Sequence, residues 1–88
     1  MLTICDVYKS VQKPEVYIYV ARHEGLKRVP AELLENFGEP VLALSFNLNE
    51  NRKLAKEDTR EVAKNLQEKG YHLQMPPTTL GQLGKQED

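Results

Sequence analysis

A short run that is apolar on both sides places the strongest constraint on how this chain can fold. Residues 16–21 read Val-Tyr-Ile-Tyr-Val-Ala, and β-branched and aromatic residues of this kind favour a strand. Alternation puts the β-branched residues on one face and the two tyrosines on the other, so neither face is polar. Because such a strand is covered on both sides, the run predicts a sheet with a layer on each face.

The remaining apolar segments predict the order strand, strand, helix, strand, helix, strand. Pro30 suits the start of the first helix because it lacks an N–H, and Gly38 followed by Pro40 suits its end. The polar link 9–15 is shorter than a parallel crossover needs, so the first two strands are predicted to form an antiparallel hairpin. The predicted elements are strands over 2–8, 16–21, 41–48 and 71–75, with one helix over 31–36 and a second that starts at about 54, or a turn later, and ends at 69.

Two of these segments also predict which residues are buried. In the third strand the large apolar residues alternate, so they are expected on one face, and the apolar character of both faces predicts cover on both sides. In the second helix the apolar stripe recurs at helical spacing. The face of the third strand comprises Leu42, Leu44, Phe46 and Leu48, and the helical stripe comprises Leu54, Ala55, Thr59, Val62, Ala63 and Leu66.

Composition excludes several classes of protein. The 88 residues carry 12 Lys+Arg and 13 Asp+Glu, a net charge of −1, which argues against a strongly basic nucleic-acid binder. No run approaches the roughly 18 apolar residues that span a bilayer, and the first residues do not resemble a secretory leader. The single cysteine, Cys5, excludes an internal disulfide. We therefore expect a cytoplasmic α/β protein with no membrane partner.

Several runs of residues, in a characteristic order and spacing, indicate a family. They are Cys5–Ser10, Tyr17–Val20, Arg28–Leu34 with Phe37–Pro40, Arg52–Ala55 and Gly70–Pro77. Together these runs resemble the YcgL domain family of small bacterial proteins, and the Arg-Val-Pro block and the Gly-Tyr-His-Leu-Gln-Met-Pro-Pro segment are the most specific parts.

The resemblance covers nearly the whole chain apart from its end. It implies a YcgL-like domain over residues 1–77. Residues 78–88 contain only two large apolar side chains, so we expect a polar, flexible tail, the alternative being a short docked helix. The resemblance also implies a compact single-domain α/β/α sandwich with a four-stranded sheet and two main helices. The family carries no established activity, cofactor or catalytic residue. Some members are encoded beside a 3′-processing ribonuclease, which hints at RNA metabolism.

The residues themselves assemble no recognisable catalytic or metal-binding motif. His23 and His72 lack the spacing of an HxH or HExxH site, and no Gly-rich loop is placed to cradle a phosphate. Cys5 lies within a strand, where a small buried thiol is usual. We therefore predict no catalytic residue, no metal and no cofactor. A small hydrolase built around His23 or Cys5 stays open as a third interpretation.

The remaining candidates are residues that contact another macromolecule. Basic side chains cluster in the links that flank the second strand, where tyrosines could stack on bases, and the fourth strand ends in prolines that suit an exposed edge. We expect a non-enzymatic accessory domain, monomeric and with a protein partner, the alternative being an RNA-associated protein. The candidate contact residues are Lys9, Lys13, Arg22, Lys27, Arg28, Tyr17, Tyr19, Gln74 and Pro76.

Overall fold

The computed structural model describes residues 3–48 and 58–76. Their elements follow the predicted order of strand, strand, helix, strand, helix, strand. They are β1 (Thr3–Ser10), β2 (Tyr17–Ala21), α1 (Ala31–Phe37), β3 (Pro40–Leu48), α2 (Thr59–Glu68) and β4 (His72–Gln74).

The four strands form one antiparallel sheet in the order β3-β1-β2-β4. The predicted hairpin between the first two strands is confirmed, with Cys5 opposite Ala21 and Lys9 opposite Tyr17. Because β1 and β2 are central, β3 and β4 are the two edges of the sheet. Neither edge assignment follows from the order of elements along the chain.

The two helices lie on opposite faces of this sheet. Ile18 and Val20 of β2 pack in one cluster with Phe37 of α1. Tyr19, which alternation points to the other face, packs in a second cluster with Val62 of α2. Both faces of residues 16–21 are therefore apolar for the predicted reason, which is that a helix covers each face of the sheet. The α/β/α arrangement is confirmed.

Local chemistry sets the ends of the helices. The Asp58 carboxylate accepts a hydrogen bond of 2.9 Å from the backbone N–H of Arg60 and so caps the start of α2. At the end of α1, the Ser10 hydroxyl donates to the carbonyl of Phe37. This second contact joins the C-terminal end of α1 to β1, so it stabilises the short helix in addition to the hydrogen bonds within the helix.

Some predicted details are wrong and others lie outside the described residues. Lys9 and Ser10 belong to β1 rather than to a link, because their pairing with β3 continues to Pro40. Ala63 is exposed, whereas Val62 is buried, since α2 buries only a narrow stripe. Leu54, Ala55 and the predicted tail lie outside the residues that the structure describes.

Candidate interaction surface

The candidate basic residues lie at two ends of the sheet. Lys9 stands opposite Tyr17 near the β1–β2 turn, and Lys13 lies within that turn. Arg22 follows β2 at the far end, where its backbone N–H donates to the carbonyl of Ile4 over 2.8 Å. Lys9 and Ile4 are five strand residues apart, a separation of roughly 17 Å. The two groups of cations therefore form separate patches.

Arg28 holds the chain together at the far end of the sheet. Its Nη2 group donates to the carbonyl of Glu68 over 3.0 Å, and its Nη1 group lies 3.5 Å from the Glu24 carboxylate. A cation at the last carbonyls of a helix complements the helix dipole. Arg28 thus joins the loop after β2 to the end of α2, whereas its neighbour Lys27 is exposed.

Two of the candidate contact residues are bonded to each other inside the fold. The Tyr19 hydroxyl donates to Oε1 of Gln74 over 2.6 Å, and both residues are buried. The Tyr19 ring also stands edge-on to the rings of Phe46 and His72. These contacts place Tyr19 and Gln74 in the layer between the sheet and α2, where little of either side chain faces solvent.

The other candidates on this side of the sheet are more accessible. Tyr17 is half-buried and packs against the cluster beneath α2. Pro76 is half-buried just beyond β4. Pro76 and the exposed Met75 mark the short second edge of the sheet, whereas Tyr17 lies in the central strand β2 opposite Gln74.

The structure does not bring the candidate nucleophile Cys5 and the histidines His23 and His72 together in one site. Burial, with a smaller effect of the Asp6 charge, raises the pKa of the Cys5 thiol to about 12. The thiol is therefore neutral at physiological pH and is not an activated nucleophile. His72 is buried with its Nδ1 atom 2.9 Å from the Asn65 amide, while His23 is exposed in the loop after β2.

The described residues contain neither a candidate metal site nor a membrane-spanning helix. Across residues 3–48 and 58–76, no group of three His, Cys, Asp or Glu side chains could hold a metal ion. Within the same ranges, no helix has both the length and the apolar character needed to cross a membrane.

The structure reveals an apolar surface that the sequence did not predict. Leu42 is 51% exposed and Leu44 is 49% exposed, although β3 was expected to be covered on both faces. That prediction is wrong because β3 is an edge strand, and the cluster beneath α1 takes residues from β1, β2 and β4 but none from β3. Ile4 of the neighbouring β1 is exposed as well.

A β-bulge directs the two exposed leucines to different faces of the sheet. Val7 stands opposite Leu44, but the next residue, Tyr8, stands opposite Leu42, so Ala43 is the extra residue. Val7 belongs to the cluster beneath α2 and Tyr8 packs against the cluster beneath α1. Leu42 is therefore on the α1 side and Leu44 on the α2 side.

The guanidinium group of Arg22 is held by hydrogen bonds on the α1 side of the sheet, which is also the side of Ile4 and Leu42. The buried Asp6 carboxylate accepts hydrogen bonds from Nε of Arg22, and its Oδ1 atom lies 3.1 Å from Nη2. The Ser45 hydroxyl donates to the same oxygen over 2.6 Å. We call the set of Ile4, Leu42 and Arg22 the open surface.

The Asp6 carboxylate is ionised and anchors the guanidinium. Burial alone raises the pKa of the Asp6 carboxyl. The hydrogen bonds from Ser45 and Arg22, together with the Arg22 charge, outweigh burial and hold the pKa below its ordinary value of 3.8. Arg22 is thereby held in one position although 53% of its side chain is exposed. Sequence reasoning named Arg22 but gave no signal for its partner, because Asp6 is 16 residues away.

Comparison with known proteins identifies the family of this fold. The model of the YcgL domain matches residues 5–77. The chain belongs to the YcgL domain family. A YcgL domain-containing protein of Pseudomonas putida (strain W619) is 54% identical over 77 residues, which cover 88% of this chain and 79% of the relative.

Relatives from other genera show the same match. A YcgL domain-containing protein of Hydrogenovibrio crunogenus is 44% identical over 84 residues, which cover 96% of this chain and 87% of the relative. Another, from Azotobacter vinelandii, is 49% identical over 77 residues, with 88% of this chain and 79% of the relative covered. These names state the YcgL domain and no activity, so the function has to be argued from the surface itself.

Proposed function

We propose that this YcgL domain is a non-enzymatic accessory domain that binds another protein through the open surface. The observation that carries the proposal is the position of Ile4 and Leu42, which are both exposed on one side of the sheet and lie on either side of the Asp6–Ser45 pair that anchors Arg22. Covering these two apolar side chains with a partner would remove them from water, which favours association.

The physical chemistry of the open surface indicates what kind of partner would fit. Fully burying a leucine side chain is worth about 1.5–3 kcal/mol, so burying the exposed half of Leu42 contributes about half of that. An arginine carries five N–H donors, and the contacts with Asp6 use those on Nε and Nη2. Among the described contacts the Nη1 donors stay available. A partner with apolar side chains next to a carboxylate would satisfy both features.

The anchoring of Arg22 favours binding for an entropic reason. Immobilising a long side chain on association costs roughly 0.5–1.5 kcal/mol. Because Asp6, which itself accepts a hydrogen bond from Ser45, already restricts the guanidinium in the free protein, much of that entropic cost does not arise on binding. The remaining candidates Lys9, Lys13 and Pro76 lie elsewhere on the surface and would have to contact a large partner to take part.

The RNA-associated alternative has less support from the geometry. It would use Lys9, Lys13, Arg22, Lys27 and Arg28, whose two patches lie at opposite ends of the sheet. Of its two stacking tyrosines, Tyr19 is buried and bonded to Gln74. The alternative makes a distinct prediction: phosphate contacts release counterions, so binding would weaken steeply with salt.

A cytoplasmic site of action is part of the proposal. The single cysteine is a free thiol, which fits a reducing compartment. The partner search below therefore uses the cytoplasmic fraction of a bacterial lysate.

The test is an affinity purification divided into nuclease-treated and untreated halves. We expect the wild-type chain to retain a protein after nuclease treatment, and Leu42→Lys to lose it, since a lysine places an ammonium group in the apolar contact. Met75→Lys is the matched control, because Met75 is 61% exposed at the opposite edge of the sheet. Circular dichroism verifies that both variants fold.

Two results would contradict the proposal. If the captured molecules disappear with nuclease and high salt, the RNA alternative is correct. If Leu42→Lys and Met75→Lys retain a partner equally well, the open surface does not bind it.

A further inference from the structure

The outer edge of β3 lacks the features that normally prevent strands from pairing between molecules. The strand covers nine residues, Pro40–Leu48, and none of them is charged. Natural edges are usually short or carry lysine, proline or inward-pointing charge. The opposite edge, β4, follows that pattern, with three residues and Pro76 just beyond it. The single proline of β3 is its first residue, so within residues 3–48 and 58–76 most of the strand carries none of these features.

The part of β3 after the bulge is symmetric in chemical type about its middle residue. Residues 44–48 read Leu-Ser-Phe-Asn-Leu, which is apolar, polar, aromatic, polar, apolar in either direction. Two such strands placed antiparallel around Phe46 bring Leu44 opposite Leu48 of the other copy. The same register brings Ser45 opposite Asn47 and each Phe46 opposite its counterpart.

The faces of the sheet agree with this register. From Leu44 onward the side chains alternate regularly, and Leu44 is level with Val7 in the layer beneath α2. Phe46 and Leu48 are buried in that same layer. An antiparallel neighbour keeps paired residues on one face, so the exposed Leu44 of one copy would extend the apolar layer of the other. The polar pairs would stay on the α1 side.

We infer that the occupant of this edge is a second copy of the chain. The two β3 strands pair antiparallel around Phe46 and join two four-stranded sheets into one of eight strands. This inference goes beyond the proposed function, because it concerns the outer edge of β3 rather than the open surface. Self-pairing brings no two charged side chains of the strand together, which removes the repulsion that would oppose it.

The expected strength of the dimer sets the conditions for the test. Five paired residues span about 17 Å, and pairing along such a short edge buries less than the roughly 1,200 Å² of a stable interface. The dimer should therefore dissociate on dilution. Dissociation constants of 1 µM to 1 mM correspond to only about −8 to −4 kcal/mol of binding free energy, so concentrations between about 10 µM and about 1 mM suit so small an interface.

Sedimentation equilibrium over that range measures the association. We expect the mass of the wild-type chain to rise from the monomer value of 10.1 kDa toward twice that value. Leu44→Lys should stay monomeric because it adds charge to the edge at a half-exposed position, and Met75→Lys should associate like the wild type. A wild-type chain that stays monomeric throughout overturns the inference, as does a Leu44→Lys chain that associates normally.

Disulfide formation tests the register directly. A mixture of Ser45→Cys and Asn47→Cys chains, distinguished by a mass label, is oxidised at high concentration. Both positions are exposed, and the native Cys5 is buried. We expect the mixed disulfide in clear excess over its statistical share, because only that pair stands directly opposite. Homodisulfides at or above their statistical share overturn the register.

The two proposals can fail separately. Suppose that the wild-type chain is monomeric and that Leu42→Lys loses a nuclease-resistant protein partner. That result would support binding through the open surface and contradict the dimer. If instead the chain forms a dimer that depends on Leu44 but captures no other protein, the dimer is supported and binding through the open surface is contradicted.

Discussion

The side chain of Arg28 lies directly over the backbone of Gly70. A β-carbon at Gly70 would stand 2.5 Å from Cβ of Arg28 and 2.6 Å from its Nε atom. Arg28 can reach the carbonyl of Glu68 because no side chain separates it from the turn after α2. One glycine therefore allows the loop after β2 to close over the end of the second helix.

Replacing Gly70 should destabilise the fold more than replacing Gly25, where a β-carbon would meet no other atom. Gly70 has φ +91° and its β-carbon would meet Arg28, whereas Gly25 has φ +60° with nothing within 4 Å. We expect Gly25→Ala to cost about 1 kcal/mol of the free energy of unfolding, the strain of a left-handed residue, and Gly70→Ala about 2–4 kcal/mol. Urea denaturation measures both. Equal losses of unfolding free energy in the two variants would show that the Arg28 side chain can move away from the new β-carbon without destabilising the fold.

Removing the charge of Asp6 should weaken the fold in a pH-dependent way. The pKa of the Asp6 carboxyl is lower in the folded chain than its unfolded value of 3.8, so its contribution is complete above that value and is lost as the pH falls toward the folded pKa. We expect Asp6→Asn to cost about 2 kcal/mol at pH 7, because hydrogen bonds to the charged group are lost.

The cost of Asp6→Asn should shrink as the pH is lowered below 3.8. Chemical denaturation at a series of pH values measures it. The control is Glu24→Gln, which alters a more exposed ion pair with Arg28 and should cost about 0.5 kcal/mol or less. A constant difference between Asp6→Asn and the wild type at all pH values would contradict the assignment.

The Cys5 thiol should resist alkylation in the folded state. With a pKa of about 12, its thiolate fraction at pH 8 is roughly 10³-fold below that of an ordinary thiol. Introducing Met75→Cys gives an exposed thiol in the same molecule. Mass spectrometry after iodoacetamide treatment should find the introduced cysteine modified and Cys5 intact, with both modified in urea. Rapid modification of native Cys5 would reopen the nucleophile interpretation.

The hydroxyl of Tyr19 should stabilise the fold, whereas that of Tyr17 should matter little. Tyr19→Phe leaves Oε1 of the buried Gln74 without this donor, which we expect to cost about 1–2 kcal/mol. Tyr17 is half-buried, so Tyr17→Phe should change the free energy of unfolding by about 0.5 kcal/mol or less. Thermal denaturation compares the two. A double-mutant cycle with Gln74→Leu should show coupling, and independent effects would argue against the bond.

Much of the fold could be predicted from the sequence because the decisive signals are local. The two-sided strand 16–21 predicted helices on both faces, and Ile18 and Tyr19 do pack beneath different helices. Pro30, Gly38 and Gly70 mark helix boundaries through their own backbone preferences, as the positive φ values of the two glycines show. The binding role of the nine candidate residues stays a prediction, since their positions alone do not test it.

The order of the strands was decided only by the tertiary structure. Alternation in β3 marked Leu42 and Leu44 as core residues, but alternation says nothing about which strand lies at an edge. The β3-β1-β2-β4 order left both leucines exposed, and the bulge at Ala43 turned them to different faces. Long-range pairs such as Arg22 with Asp6 depend on that order as well. The elements and their layers follow from the sequence alone, because propensity and periodicity act within a few residues. The surfaces depend on contacts between distant segments, which only the folded chain brings together.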